Sequence, residues 1–136
     1  MVKMTAVYDG DLHCRVIHWP SGNEIATDAP ADNMGKAETF SPTDLLAASL
    51  GSCILTVMGI VAMRHQIFLQ GTSISMEKEM VTEPVRRVGK ITVIVSMTKG
   101  IPSDKREMLE TAARTCPVHK SLHPDVEAPI EFLYPD

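Results

Sequence analysis

The sequence predicts an α+β domain. Alternating apolar residues broken by turn signals fill the first forty positions, a long uncharged run follows a helix-start signature, and two more alternating runs precede a second helix. Residues 2–8 and 12–18 alternate, and Asp9-Gly10-Asp11 between them reads as a turn. Leu12, Cys14, Val16 and His18 share one face of the second run, while His13, Arg15, Ile17 and Trp19 share the other. Pro20-Ser21-Gly22-Asn23 is a further turn into a short strand over 24–28. Residues 29–40, rich in small and turn-forming types, read as a loop.

Ser41-Pro42-Thr43-Asp44 opens the long helix. Serine caps, proline suits the first helical position, and Asp44 stands where a carboxylate reaches back to the cap. The helix is expected to run to about residue 65. Its stretch Leu45–Met63 carries no charge and has about the length that spans a bilayer. Ser49, Ser52, Thr56, Gly51 and Gly59 within it, and Asp44 and Arg64 at its ends, favour a buried core helix instead. A helix apolar nearly all round cannot be covered by one sheet, so a second copy of the chain is expected on its far side.

Gln66 to Gly71 ends that helix, and two strands follow over 72–82 and 88–98, joined by a turn at Glu83–Arg87. The second strand places Ile91, Val93, Val95 and Met97 on one buried face. Pro102-Ser103-Asp104 starts another helix with Met108, Leu109, Ala112, Ala113 and Cys116 on its apolar stripe. Pro117 cannot continue it, so the chain kinks or restarts there, with a further helical turn at His119–Leu122 halted by Pro124. Residues 126–134 close the domain as a strand.

The length of 136 residues fits a single domain spanning 1–136. Apolar residues at 44% and charged residues at 22% are globular proportions, which excludes wholesale disorder. A net charge of −4, one tryptophan, two tyrosines and three phenylalanines leave neither a basic footprint nor stacking platforms for nucleic acid. The N-terminus has no apolar leader, and the three cysteines Cys14, Cys53 and Cys116 form no CxxC pair, so the expected compartment is the cytoplasm.

Chemistry is therefore sought in the thiols. Cys53 sits mid-helix with no charged residue within two turns, so it is either a core hydrophobe or a thiol activated from elsewhere in the fold. Cys116 precedes Pro117, where a new helix exposes unpaired N–H groups that favour a thiolate; Arg114, His119 and Lys120 push the same way. Cys14 is expected to be a buried strand thiol, and His13 and His18 to be surface or edge residues. Cys116, His119 and His123 also make a C-x2-H-x3-H spacing that could share one helix face and hold zinc with a fourth ligand such as Cys14 or His18. HExxH, GxGxxG, P-loop and GxSxG patterns are absent.

Two segments, SPTDLLAASLGSCILTVMG at 41–59 and TCPVHKSLHPDVE at 115–127, resemble the two cysteine motifs of the osmotically inducible protein C / organic hydroperoxide resistance (OsmC/Ohr) family. The predicted element order agrees with that family's fold over nearly the whole chain. The resemblance implies an intertwined homodimer with the long helices packed together. It also implies a thiol peroxidase of organic hydroperoxides, with Cys53 as the peroxidatic and Cys116 as the resolving cysteine. The reductant would be an external dithiol, and no bound cofactor or metal is implied. Family peroxidases activate the first cysteine with an arginine held by a glutamate ten residues before it. Thr43 occupies that position here, beside Asp44, so Glu38 is the candidate carboxylate and Arg15 the candidate arginine. In this respect the chain resembles an OsmC-like branch. The alternative function is a non-catalytic OsmC-like dimer binding a small apolar or thiol-reactive ligand between subunits. The third is the metal site at Cys116, His119 and His123.

Overall fold

Alternation of apolar and polar residues builds two separate three-stranded sheets in the computed structural model of this chain, which describes residues 1–135. The chain divides into two compact units, Met1–Leu46 and Ala47–Asp136.

In the first unit, β1 (Met4–Gly10), β2 (His13–His18) and β3 (Glu24–Asp28) form an antiparallel meander with β2 central. The β1–β2 reversal falls one position later than the Asp-Gly-Asp signal suggests. Gly10 is still paired with His13, across a register shift after Tyr8, and the tight turn is made by Asp11 and Leu12 at φ 53° and 60°. Gly10 itself sits at φ 88°, a conformation that favours glycine because it has no Cβ. The loop that follows contains a 3-10 turn at Ala31–Asn33.

The long helix α1 (Pro42–Arg64) starts where its signature says. The Asp44 N–H donates to Ser41 Oγ at 3.0 Å, and the Ser41 N–H donates to Asp44 Oδ2 at 2.9 Å, a reciprocal capping box. The Thr43 hydroxyl lies 3.2 Å from Ser41 Oγ.

In the second unit, β4 (Ser73–Val81) pairs antiparallel with β5 (Arg87–Ser96), and β6 (Ile130–Leu133) pairs parallel with β5 on its other side. The parallel pairing requires a crossover, supplied by a 3-10 turn at Ser103–Lys105, α2 (Arg106–Ala113) and α3 (Pro117–Ser121). The predicted alternation on β5 holds. Ile91, Val93 and Val95 are fully buried and Met97 nearly so. They share one core with Leu50, Ile54 and Met58 of α1 and with Leu109, Ala113 and Cys116 of the crossover. Each Val, Leu, Ile or Met among them contributes about 1.5–3 kcal/mol by leaving water. Two cation–π contacts tie α2 to the C-terminal segment, with Arg114 5.2 Å from the Phe132 ring and Arg106 4.1 Å from the Tyr134 ring.

The closing strand is shorter than its apolar pattern. From Glu127 the chain already follows β5, since the N–H groups of Ile91 and Val93 donate to Glu127 and Pro129 carbonyls. Pro129 has no N–H to return, so the ladder proper begins at Ile130.

Helix α1 is buried along one stripe: Ala47, Leu50, Gly51, Ile54, Met58 and Ala62. Its other side is apolar but open, with Ile60 46% and Met63 81% exposed. By length and composition it passes for a membrane span, and only 33% of that apolar window is buried.

Candidate functional site

Helix α1 carries Cys53 one residue before the fully buried Ile54, so its thiol lies at the margin of the core and is half-buried. Cys116 comes from the joint between α2 and α3. The α2 stripe of Leu109, Ala112 and Ala113 continues into it, and Pro117 forces α3 to begin anew. As the N-cap residue of α3, at φ −62° and ψ 141°, Cys116 turns its sulfur back over the new helix and accepts the His119 N–H at 3.2 Å.

These two placements bring the thiols together. Both are free, Cys116 is fully buried, and Cys53 packs against the core that contains it. Burial pushes the Cys116 thiol above its ordinary value, and the adjacent Cys53 adds to the rise through its hydrogen bond and its charge. The N–H groups of His119 and Val118 pull the other way without prevailing. The sequence-based expectation that the helix start leaves Cys116 ready as a thiolate is therefore corrected. The N–H groups are where they were expected, but desolvation outweighs them.

The metal alternative fails on the same geometry. Leu122 ends α3 in extended conformation, at φ −72° and ψ 146°, so His123 leaves the helix face that Cys116 and His119 share. Its Nδ1 accepts the Asp125 N–H at 3.0 Å in a solvent-exposed turn. Among the described residues no group of three or more His, Cys, Asp or Glu side chains could hold a metal ion.

Arg15 and Glu38 belong to the first unit. The Arg15 guanidinium donates to both carboxylate oxygens of Asp9, at 2.7 and 3.1 Å, and lies 3.7 Å from Glu24. That bidentate pairing holds the Asp9 carboxyl below its ordinary value and raises the guanidinium's. Glu38 donates its backbone N–H to Asp28 Oδ2 at 3.1 Å. Asp28 is itself nearly buried and joined to His13 Nδ1 at 2.6 Å. The His13 hydrogen bond comes first among the causes that hold its carboxyl below the usual range. Asp9, His13, Asp28, Lys36 and Glu38 line a shared recess of about 310 Å³. Sequence reading missed the His13–Asp28 and Arg15–Asp9 pairs. Both depend on hairpin register, and only β2 paired with both β1 and β3 shows which polar residues meet.

Cys14 is half-buried in the central strand of its sheet, opposite Tyr8 and Thr27. In the second unit, an apolar groove of about 370 Å³ runs along the open side of α1, between Ile60 and Met63 and the following Ile67 and Leu69.

Against known proteins, the OsmC-like protein family model matches residues 35–131. A crystal structure of a proposed osmotic-stress-induced and detoxification-response protein from Psychrobacter arcticus 273-4 is 42% identical, with a TM-score of 0.91 over 97% of this chain and 96% of that one. The organic hydroperoxide resistance protein OsmC of Legionella pneumophila has the same fold at 18% identity, with a TM-score of 0.75 over 98% and 96% of the two chains. The organic hydroperoxide resistance protein OhrB of Bacillus subtilis does so at 20% identity, with a TM-score of 0.71 over 97% of each. No curated protein matches the sequence. The α+β architecture expected from the sequence is the architecture these chains share.

Proposed function

Since this chain belongs to the OsmC-like protein family, whose fold includes organic hydroperoxide resistance proteins, we propose that it is a thiol-dependent peroxidase of organic hydroperoxides. One observation carries the proposal: a half-exposed Cys53 packs against the core that holds the fully buried Cys116, distant from it in sequence, and lies near enough to shift that thiol's titration. The asymmetry between the two supports the division of labour. The thiol that solvent reaches meets the substrate, and the desolvated thiol, held up in its neutral form, waits for the product.

In the proposed cycle the Cys53 thiolate attacks one peroxide oxygen, the O–O bond breaks, and the departing alkoxide takes a proton to leave as an alcohol. Sulfur is oxidised to sulfenic acid while the peroxide is reduced. Cys116 then displaces the sulfenic hydroxyl as water and forms a disulfide, and an external dithiol restores both thiols by exchange. A partner thiol in contact intercepts the sulfenic acid before further oxidation makes it irreversible. Arg15 is the proposed supporting cation and Glu38 its proposed carboxylate. Arg15 would have to release Asp9 to act on a thiolate. The protein is proposed to work in the cytoplasm without a bound cofactor, as a homodimer whose second copy covers the open side of α1. No role in nucleic-acid binding or in a membrane is proposed.

The test is titration of reduced protein with cumene hydroperoxide, followed by thiol counting and mass mapping. The expected outcome is loss of two thiols per chain, mapped to a Cys53–Cys116 bridge and reversed by dithiol. Cys53→Ser should lose no thiol to a modest excess, and Cys116→Ser should stop at a trappable sulfenic acid. Survival of all three thiols in the unsubstituted protein would exclude the peroxidase. The reading would then pass to a non-catalytic dimer that holds a small apolar or thiol-reactive ligand at the subunit interface.

A further inference from the structure

Just past the end of α1 the chain forms a recess that none of the cysteines lines. The helix is closed by a left-handed residue. Gln66 stands at φ 56°, the Ile67 N–H donates back to the Ala62 carbonyl at 2.9 Å, and the His65 N–H reaches the Val61 carbonyl at 3.2 Å. Glycine usually holds such a position because it has no Cβ; here the position carries a side chain with two N–H donors. The turn then leaves Phe68 82% exposed. The link from β5 to the crossover reverses at Gly100, with φ 83°, and supplies the rest. His65, Gln66, Phe68, Lys99, Pro102 and Lys105 line a volume of about 330 Å³.

The lining carries one sign of charge. Two lysines and a histidine belong to it and no carboxylate does, since Asp104, next to Lys105 in sequence, lies outside it. That runs against a chain of net charge −4. The side chains of His65, Lys99 and Lys105 make no hydrogen bond or ion pair with any described residue. An ammonium on a flexible four-carbon stem, uncommitted elsewhere, can turn onto an anion. The carbonyls of Val61, Ala62 and Met63 do not compete for these donors, because backbone N–H groups already occupy them. Phe68, left in water beside the cations, is a platform for a flat ring. Three cationic side chains match the three terminal oxygens of a phosphate monoester, which carries most of two negative charges at neutral pH. A carboxylate offers two oxygens and one charge. The volume lies at the small end of ligand pockets, enough for a molecule with one ring.

We propose that this recess binds a small aromatic phosphate monoester, with the phosphate against Lys99, Lys105 and His65 and the ring against Phe68. The site is independent of the peroxidase reading and stands or falls without it.

The experiment is an amide-shift titration of the full-length reduced protein with phenyl phosphate. Inorganic phosphate (the charge without the ring) and benzyl alcohol (the ring without the charge) are titrated alongside. Phenyl phosphate should give saturable shifts at residues 65–68 and 99–105. Each half-ligand should bind about tenfold or more weakly, the size of one lost stacking or charge-assisted contact. Lys99→Ala combined with Lys105→Ala should weaken phenyl phosphate by about tenfold or more. Phe68→Ala should bring it down to the level of inorganic phosphate. These three side chains are exposed or half-exposed, so their removal spares the core, and unchanged shifts elsewhere report an intact fold. Any of four results would overturn the proposal: no saturation at those amides, saturation only elsewhere, a half-ligand as tight as phenyl phosphate, or a double variant that binds as well as the unsubstituted protein.

Discussion

Asp28 illustrates how a single residue can be fixed by partners that its neighbours in sequence do not announce. It is 6% exposed, and it accepts from Glu38 N–H while meeting His13 Nδ1 at 2.6 Å. Its carboxyl is held below the ordinary range, so in the acid region the unfolded chain binds the proton more readily than the folded one. The stability it contributes is complete above the ordinary carboxylate range and is lost as pH falls through the lowered value. Asp28→Asn should therefore lower the urea midpoint at neutral pH and flatten its fall on acidification. An unchanged acid limb, measured as midpoint against pH, would show that the pair contributes nothing to folding.

At the level of elements, helix starts and the central strand were legible because each rests on local chemistry. Ser41 and Asp44 declare the start of α1, Pro117 the start of α3, and the period-two pattern through Ile91, Val93 and Val95 the buried face of β5. The same locality made the joining of Cys53 to Cys116 invisible to spacing. It arises from α1 and the crossover converging on one face of β5, and only the family resemblance paired them beforehand. Irregularities were also hidden. Gly89 lies where the β4–β5 register shifts between Glu79 and Met80. A Cβ there would sit 2.5 Å from Cγ1 of Val81, a stiff β-branched side chain with little room to turn aside. Gly89→Ala should destabilise the protein by about 1–3 kcal/mol, as overpacking does. Gly89→Ala melting at the unsubstituted temperature would mean that the bulge yields freely.

For the molecule as a whole, the open apolar side of α1 is the feature one chain cannot account for. Ile60 and Met63 stand in water beside a groove that continues to Ile67 and Leu69. Covering it with a second copy would take Ile60 and Met63 out of water, and contiguous exposed patches of this kind mark association sites. Ile60→Asp combined with Met63→Asp should convert the proposed dimer to monomer in sedimentation velocity. An unsubstituted protein that sediments as a monomer would end the dimer proposal.

The contact between Cys53 and Cys116 has one more consequence, and it concerns heat rather than chemistry. The two sulfurs belong to parts of the chain far apart in sequence, so a bond between them would tie off a long loop of the unfolded protein and leave it fewer conformations to melt into. By loop-closure entropy alone that is worth roughly 4 kcal/mol. A protein that has recently spent its thiols should thus unfold several degrees later in calorimetry than the same protein after dithiol, and its melting temperature would serve as a record of the oxidant it has met.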